Sequence, residues 1–169
     1  MPEGQDGESL VPEEETRTES GQAELLGVGV TEAVDVSVRY HTHVQTLAWQ
    51  NWVANGTVSG TSGMSKRLEG IEIWVSGNRN LGVRYTAHCQ TYGWLPWSSD
   101  GETNGTEGEA KRLEAIKIQL TGSDAAKYDI YYRVYVQDHG WLGWTKNGAT
   151  AGSMGLSKRL EAVQVKLVV

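Results

Sequence analysis

The chain has 169 residues, 21 acids against 15 bases and a net charge of −6, and is long enough to bury one substantial core. The acidity is local: residues 1–24 carry eight acids and one base, while the remainder is nearly neutral with thirteen acids and fourteen bases. A basic field for nucleic acid is thereby excluded. No apolar run is long enough for a membrane-spanning helix, so no membrane insertion is expected either.

Residues 1–27 are rich in Glu, Gly, Ser and Thr and have no aromatic side chain, so they are read as a disordered acidic tail or linker. No apolar signal-peptide core follows Met1. The chain is therefore either cytosolic or a fragment or mature form whose signal has been removed. Residues 28–169 are read as a single all-β domain of three repeats, at about 34–77, 78–123 and 124–169.

Each repeat opens with period-two alternation, as in Val34–His41, Val83–Thr86 and Ile130–Val136, the pattern of a half-buried strand. Next comes Gln45-x3-Trp49-x2-Trp52, then Gln90-x3-Trp94-x2-Trp97, then Gln137-x3-Trp141-x2-Trp144, at offsets of 45 and 47 residues. Each Trp pair runs into Asn55-Gly56, Asp100-Gly101 or Asn147-Gly148, which favour tight turns because they accept positive φ. Glycines then recur at Gly60, Gly105 and Gly152 and at Gly63, Gly108 and Gly155, positions where a Cβ is expected to obstruct the backbone. Each repeat closes on Lys-Arg-Leu-Glu and an alternating strand: Leu68–Val75, Leu113–Leu120 and Leu160–Leu167. A repeat of this period buries its apolar face only against its neighbours. The three units are expected to share one core in a closed pseudo-threefold arrangement, β-prism-like, with a β-trefoil as the alternative.

The order Gly-Trp-x-x-Trp, Asn-Gly, glycine-rich loop and Arg-Leu-Glu-Ala-Ile closely resembles the clostridial hydrophobic repeat with a conserved tryptophan, the ChW repeat. Gly93-Trp94 and Gly140-Trp141 carry the motif, and the first copy departs from it with Ala48-Trp49. The resemblance implies a non-catalytic module exported to the surface or exterior of a Gram-positive bacterium, serving adhesion or polysaccharide binding. The partner implied is a glycan or cell-wall polysaccharide, or else a protein at the cell surface.

In a continuous strand, residues three apart face opposite sides. One Trp of each pair is therefore expected inward, filling the axis of a chain that has no Phe: Trp49, Trp94 and Trp141. Trp52, Trp97 and Trp144 are the candidate platforms for sugar rings, with Gln45, Gln90 and Gln137 able either to bond hydroxyls or to cap loop backbone. Arg67, Arg112 and Arg159 stand two residues before Glu69, Glu114 and Glu161, so each couple shares a strand face and is read as a structural ion pair. An Arg contact to a ligand carboxylate or sulfate is the alternative. The same Arg beside each Glu speaks against a cation held by the three carboxylates. His41, His43, His88 and His139 are too loosely distributed for a metal set. Lone Cys89 reads as a small buried hydrophobe. No hydrolase or phosphate-loop motif occurs, and neither enzymatic activity nor a cofactor is expected.

Overall fold

The computed structural model describes residues 36–169. The expected acidic tail, 1–27, and residues 28–35, within which the opening alternation is expected to begin, lie outside that range. The long strands are β1 (Ser37–Val44) and β5 (Leu68–Ser76), β6 (Gly82–Cys89) and β10 (Leu113–Thr121), and β11 (Asp129–Val136) and β15 (Leu160–Val168). Two-residue strands lie between them: β2 (Ala48–Trp49), β3 (Val53–Ala54) and β4 (Ser59–Gly60), then β7 (Gly93–Trp94), β8 (Ser98–Ser99) and β9 (Asn104–Gly105), then β12 (Gly140–Trp141), β13 (Thr145–Lys146) and β14 (Ala151–Gly152).

Three five-stranded sheets result. In each, the opening strand pairs antiparallel with the closing strand of its own repeat and carries the first two short strands on its other edge. The third short strand crosses to a neighbour. β9 of the second repeat pairs with β5 of the first, β14 of the third with β10 of the second, and β4 of the first with β15 of the third. Strand exchange is therefore cyclic and leaves no repeat complete by itself. The pairings establish an all-β chain of three repeats; they do not themselves select the prism over the trefoil.

Glycine makes the exchange possible. A Cβ on Gly60 would lie 2.5 Å from the Glu161 carbonyl oxygen, one on Gly152 2.5 Å from that of Glu114, and Gly105 stands likewise against Glu69. All three also hold φ between 103° and 115°, a region closed to side chains with a Cβ.

Each closing strand carries a β-bulge that the alternation does not reveal. Leu68 lies opposite Val44 while Gly70 lies opposite His43, so Glu69 is the extra residue; Glu114 and Glu161 occupy the same place in the other copies. Beyond the bulge, Ile71, Ile73 and Val75 turn inward as expected.

One apolar cluster spans all three repeats. Its bulk comes from Tyr40, Tyr85 and Tyr132, fully buried residues at the repeat offsets of 45 and 47, not from tryptophan. The Tyr40 hydroxyl donates to the Thr57 carbonyl at 2.5 Å and accepts the Val165 N–H at 3.1 Å, tying the first repeat to the last. Those of Tyr85 and Tyr132 donate to the carbonyls of Glu102 and Ala149. The connection before the third repeat, two residues longer, contains a single 3-10 turn, Ala125–Lys127.

Candidate functional site

The first Trp of each pair is not in the core. Trp49, Trp94 and Trp141 are half-buried on the outer sheet faces, Trp52 and Trp97 are 44% and 41% exposed, and Trp144 is half-buried. The expectation of one inward and one outward Trp fails because the pair does not lie on one strand. Trp49 ends β2, Trp52 precedes β3, and the irregular residues between them reset the alternation. Wholly buried Trp pairs, which a purely structural or protein–protein interaction domain would have shown, occur in no copy.

Left-handed backbone sets the first indole. Gly93 and Gly140 have φ of 73° and 78°, and Ala48 takes φ 65° at the same place. The glycine of Gly-Trp is thus a conformational requirement, which the first copy meets at a steric cost. The three turns follow: Asn55, Asp100 and Asn147 have φ of 33° to 49° and each is followed by a glycine near 85°. Their side-chain oxygens accept the N–H of Val38, Val83 and Ile130, locking the turn against the start of the opening strand.

Each Trp pair grips a polar or cationic side chain. His41 stacks between Trp49 and Trp52, at centroid distances of 4.5 and 3.9 Å. Its two ring nitrogens face the Gln50 carbonyl at 2.9 Å and the Glu72 carboxylate at 2.7 Å. In the second copy Lys117 lies 4.3 Å over Trp94 and Arg84 4.3 Å over Trp97. In the third, Arg133 sits over Trp141 and Trp144 at 4.7 and 5.0 Å, and Lys166 lies 4.4 Å over Trp144. These contacts orient the indoles.

The first copy goes further. Trp74, 46% exposed on the outward side of β5, joins Trp52, Arg39 and Gly101 in lining a cleft of about 250 Å³. A Cβ on Gly101 would lie 3.2 Å from the Trp74 ring, so the turn of the second repeat forms the seat of that indole. Gln119 and Lys166 occupy the equivalent of Trp74 in the other copies, which makes this cleft unique. Its signal in the sequence was an aromatic residue at an outward position of an otherwise polar strand face.

The glutamines lie elsewhere. Gln45, Gln90 and Gln137 use their side-chain carbonyls to accept the backbone N–H of Arg67, Arg112 and Arg159, at 3.1 to 3.2 Å. Those arginines donate Nε–H to Glu69, Glu114 and Glu161 at 2.8, 2.8 and 2.9 Å. The three Gln and three Arg converge on one pocket of about 450 Å³, far from any arrangement in which Gln and Trp share a sugar. Structure thus separates two sets that the sequence places side by side.

His43 and His88 bond Glu69 and Glu114 at 3.0 and 2.9 Å, and His139 is exposed. Among the described residues no group of three or more His, Cys, Asp or Glu side chains could hold a metal ion. Cys89 is fully buried, and burial pushes its thiol up to about 11.

Three equivalent sheets with outward tryptophans, closed by cyclic strand exchange, define a repeat module of three copies. Its sequence matches the family described as Clostridial hydrophobic W at residues 43–77, 88–122 and 135–168. Those segments cover more than half of the chain, which belongs to this ChW family. No curated protein and no solved structure matches it.

Proposed function

We propose that this is a non-catalytic extracellular binding module of a bacterial surface or secreted protein, contacting glycans or cell-wall polysaccharide through its tryptophan faces. The observation that carries the reading is the placement of all three Trp pairs outside the core, braced by neighbouring side chains, with Trp52 and Trp97 44% and 41% exposed. An indole face packs against the C–H face of a sugar ring, and bracing reduces the ordering cost of binding. Three such faces give weak sites avidity toward a repeating polymer. Among them the Trp52–Trp74 cleft supplies a cation, Arg39, beside two indoles. Neither nucleic acid nor a cofactor has a place in this reading, and no helix among the described residues is long and apolar enough to cross a membrane.

The test is a glycan and cell-wall-polymer array probed with the chain and with the triple variant Trp52→Ala, Trp97→Ala, Trp144→Ala. Selective binding lost by at least tenfold in a variant with unchanged circular dichroism is the expected result. Equal binding by the folded variant would reject the tryptophan placement. Binding of a surface protein with silence toward every glycan would replace the carbohydrate reading with a protein partner.

A further inference from the structure

The pocket lined by Gln45, Gln90, Gln137, Arg67, Arg112 and Arg159 takes the same contribution from every repeat, so it lies where the three copies meet on the pseudo-threefold axis. Its hydrogen-bond inventory is one-sided. Each Gln has committed its only acceptor, the side-chain carbonyl, to an Arg N–H. Each Arg has committed Nε to a Glu, and no further hydrogen bond of these six side chains occurs among the described residues. The guanidinium Nη and amide Nε2 groups are therefore left as donors that cannot accept, and the lining is completed by Ala110 and by Ser65 and Ser157, whose hydroxyls can do either.

The glutamates balance the guanidinium charge but bring no acceptor into the pocket. They do not line the pocket, and both oxygens of each are already engaged. One accepts Arg Nε–H; the other meets His43 at 3.0 Å, His88 at 2.9 Å or the Gly63 N–H at 3.3 Å. One residue outward, Lys66 and Lys111 donate to the neutral hydroxyls of Thr46 and Thr91, while Lys158 pairs with Asp138. A pocket in which donors predominate, with three arginine forks in threefold array, matches a ligand of acceptor oxygens that is negative and trigonal toward the protein.

We propose that this pocket binds one tetrahedral oxyanion group, a phosphate or sulfate ester, carried on a polyhydroxylated body. The three terminal oxygens of such a group address the three guanidinium groups. The 450 Å³ volume exceeds a bare oxyanion several-fold and leaves room for a polyol whose hydroxyls accept from the glutamine amides. The site is independent of the tryptophan faces, and its stoichiometry of one per chain separates it from three repeated sites.

The test is titration of the full chain with inorganic phosphate, sulfate, glycerol 2-phosphate and glucose 6-sulfate, at constant ionic strength against chloride. Calorimetry gives stoichiometry, and amide NMR gives location. Expected are one equivalent bound, joint shifts of the Arg67, Arg112 and Arg159 amides, still Trp52 and Trp97 indoles, and tighter binding of esters than of bare ions. Binding of only the phosphate ester or only the sulfate ester identifies the source, and binding of both assigns the shared chemistry. The variant Gln45→Glu, Gln90→Glu, Gln137→Glu keeps the oxygen that accepts each Arg N–H but replaces the amide donors by negative charge. It should lose at least tenfold in affinity, or about 1.4 kcal/mol. Should the triple variant not fold, Gln90→Glu alone should weaken binding severalfold. No binding beyond chloride, shifts confined to the indoles, or undiminished binding by a folded Gln→Glu variant would each overturn the proposal.

Discussion

Tyr40, Tyr85 and Tyr132 show how a single position takes over a role that the eye assigns to tryptophan. A phenol is slimmer than an indole, and its one hydroxyl can reach a backbone carbonyl across a narrow axis; each of the three does so. The indole is too large for the same place and stays on the face, where its N–H meets solvent or, for Trp49, the Glu107 carboxylate of the next copy. Burial raises all three tyrosines, with Tyr40 and Tyr132 pushed up to about 12 from 10.0. A group with a raised folded pKa stabilises fully below its unfolded pKa, and that stability is lost as pH rises through the folded value. Between pH 10 and 12 the unfolded chain therefore binds fewer protons, and stability should fall steeply. A shift of this size is worth on the order of 3 kcal/mol per tyrosine. Urea midpoints should be flat from pH 8 to about 9.5 and then drop, and the part of the 295 nm Tyr absorbance that belongs to Tyr40, Tyr85 and Tyr132 should rise only as the protein unfolds. Ionisation of Tyr40, Tyr85 and Tyr132 near pH 10 with the fold intact would contradict this.

The short exchanged strands are the elements on which closure depends. Each contributes just two residues, and each has its glycine packed directly on the backbone of the neighbouring repeat. Comparison within one loop isolates the effect. Gly152→Ala places a methyl 2.5 Å from the Glu114 carbonyl oxygen, whereas Gly155→Ala meets nothing within 4 Å and suffers only from φ 82°. The first should cost more than about 3 kcal/mol, the range of backbone displacement and lost pairing, and the second about 1 kcal/mol. Equal losses in chemical denaturation would show that φ alone governs both sites. The bulges at Glu69, Glu114 and Glu161 belong to the same scale: one extra residue per closing strand aims a buried carboxylate at its Arg and seats that Arg at the axis.

For the whole molecule, cyclic exchange makes the three repeats one cooperative unit. Removal of the third repeat by truncation after Thr121 would strip β10 of β14, leave β4 without β15 and open the shared core on the first and second copies. Such a fragment, residues 1–121, should show no dispersed amide spectrum and no cooperative thermal transition. A folded two-repeat fragment would show that the copies are autonomous and that closure is an accessory. Threefold closure also gives the molecule two kinds of surface: three lateral faces bearing tryptophan, and one axial end where identical residues from all copies converge. The lateral faces have diverged. His41, the Arg84–Lys117 pair and the Arg133–Lys166 pair brace the indoles differently, and only the first face has Trp74. The axial end has kept Gln and Arg in every copy.

Periodicity in the sequence determined the β class, the three repeats, the turns at Asn55, Asp100 and Asn147, and the six loop glycines at positive φ, because these follow from local alternation and backbone φ. Of those six, a Cβ meets backbone only at Gly60, Gly105 and Gly152, and nothing at Gly63, Gly108 and Gly155, which corrects the expectation for the latter three. Even the ion pairs were legible, since Arg and Glu two residues apart are neighbours on any strand. The tertiary structure alone decided what lies in the core and what meets at the axis. Alternation cannot be counted through the irregular residues between Trp49 and Trp52, so it misplaced the first indole of each pair. A bulge is invisible to a period-two pattern, so the setting of Glu69 was hidden. The convergence of Gln45, Gln90 and Gln137 with three arginines depends on contacts between residues 45 or more positions apart, and only closure of the ring of exchanged strands brings them together.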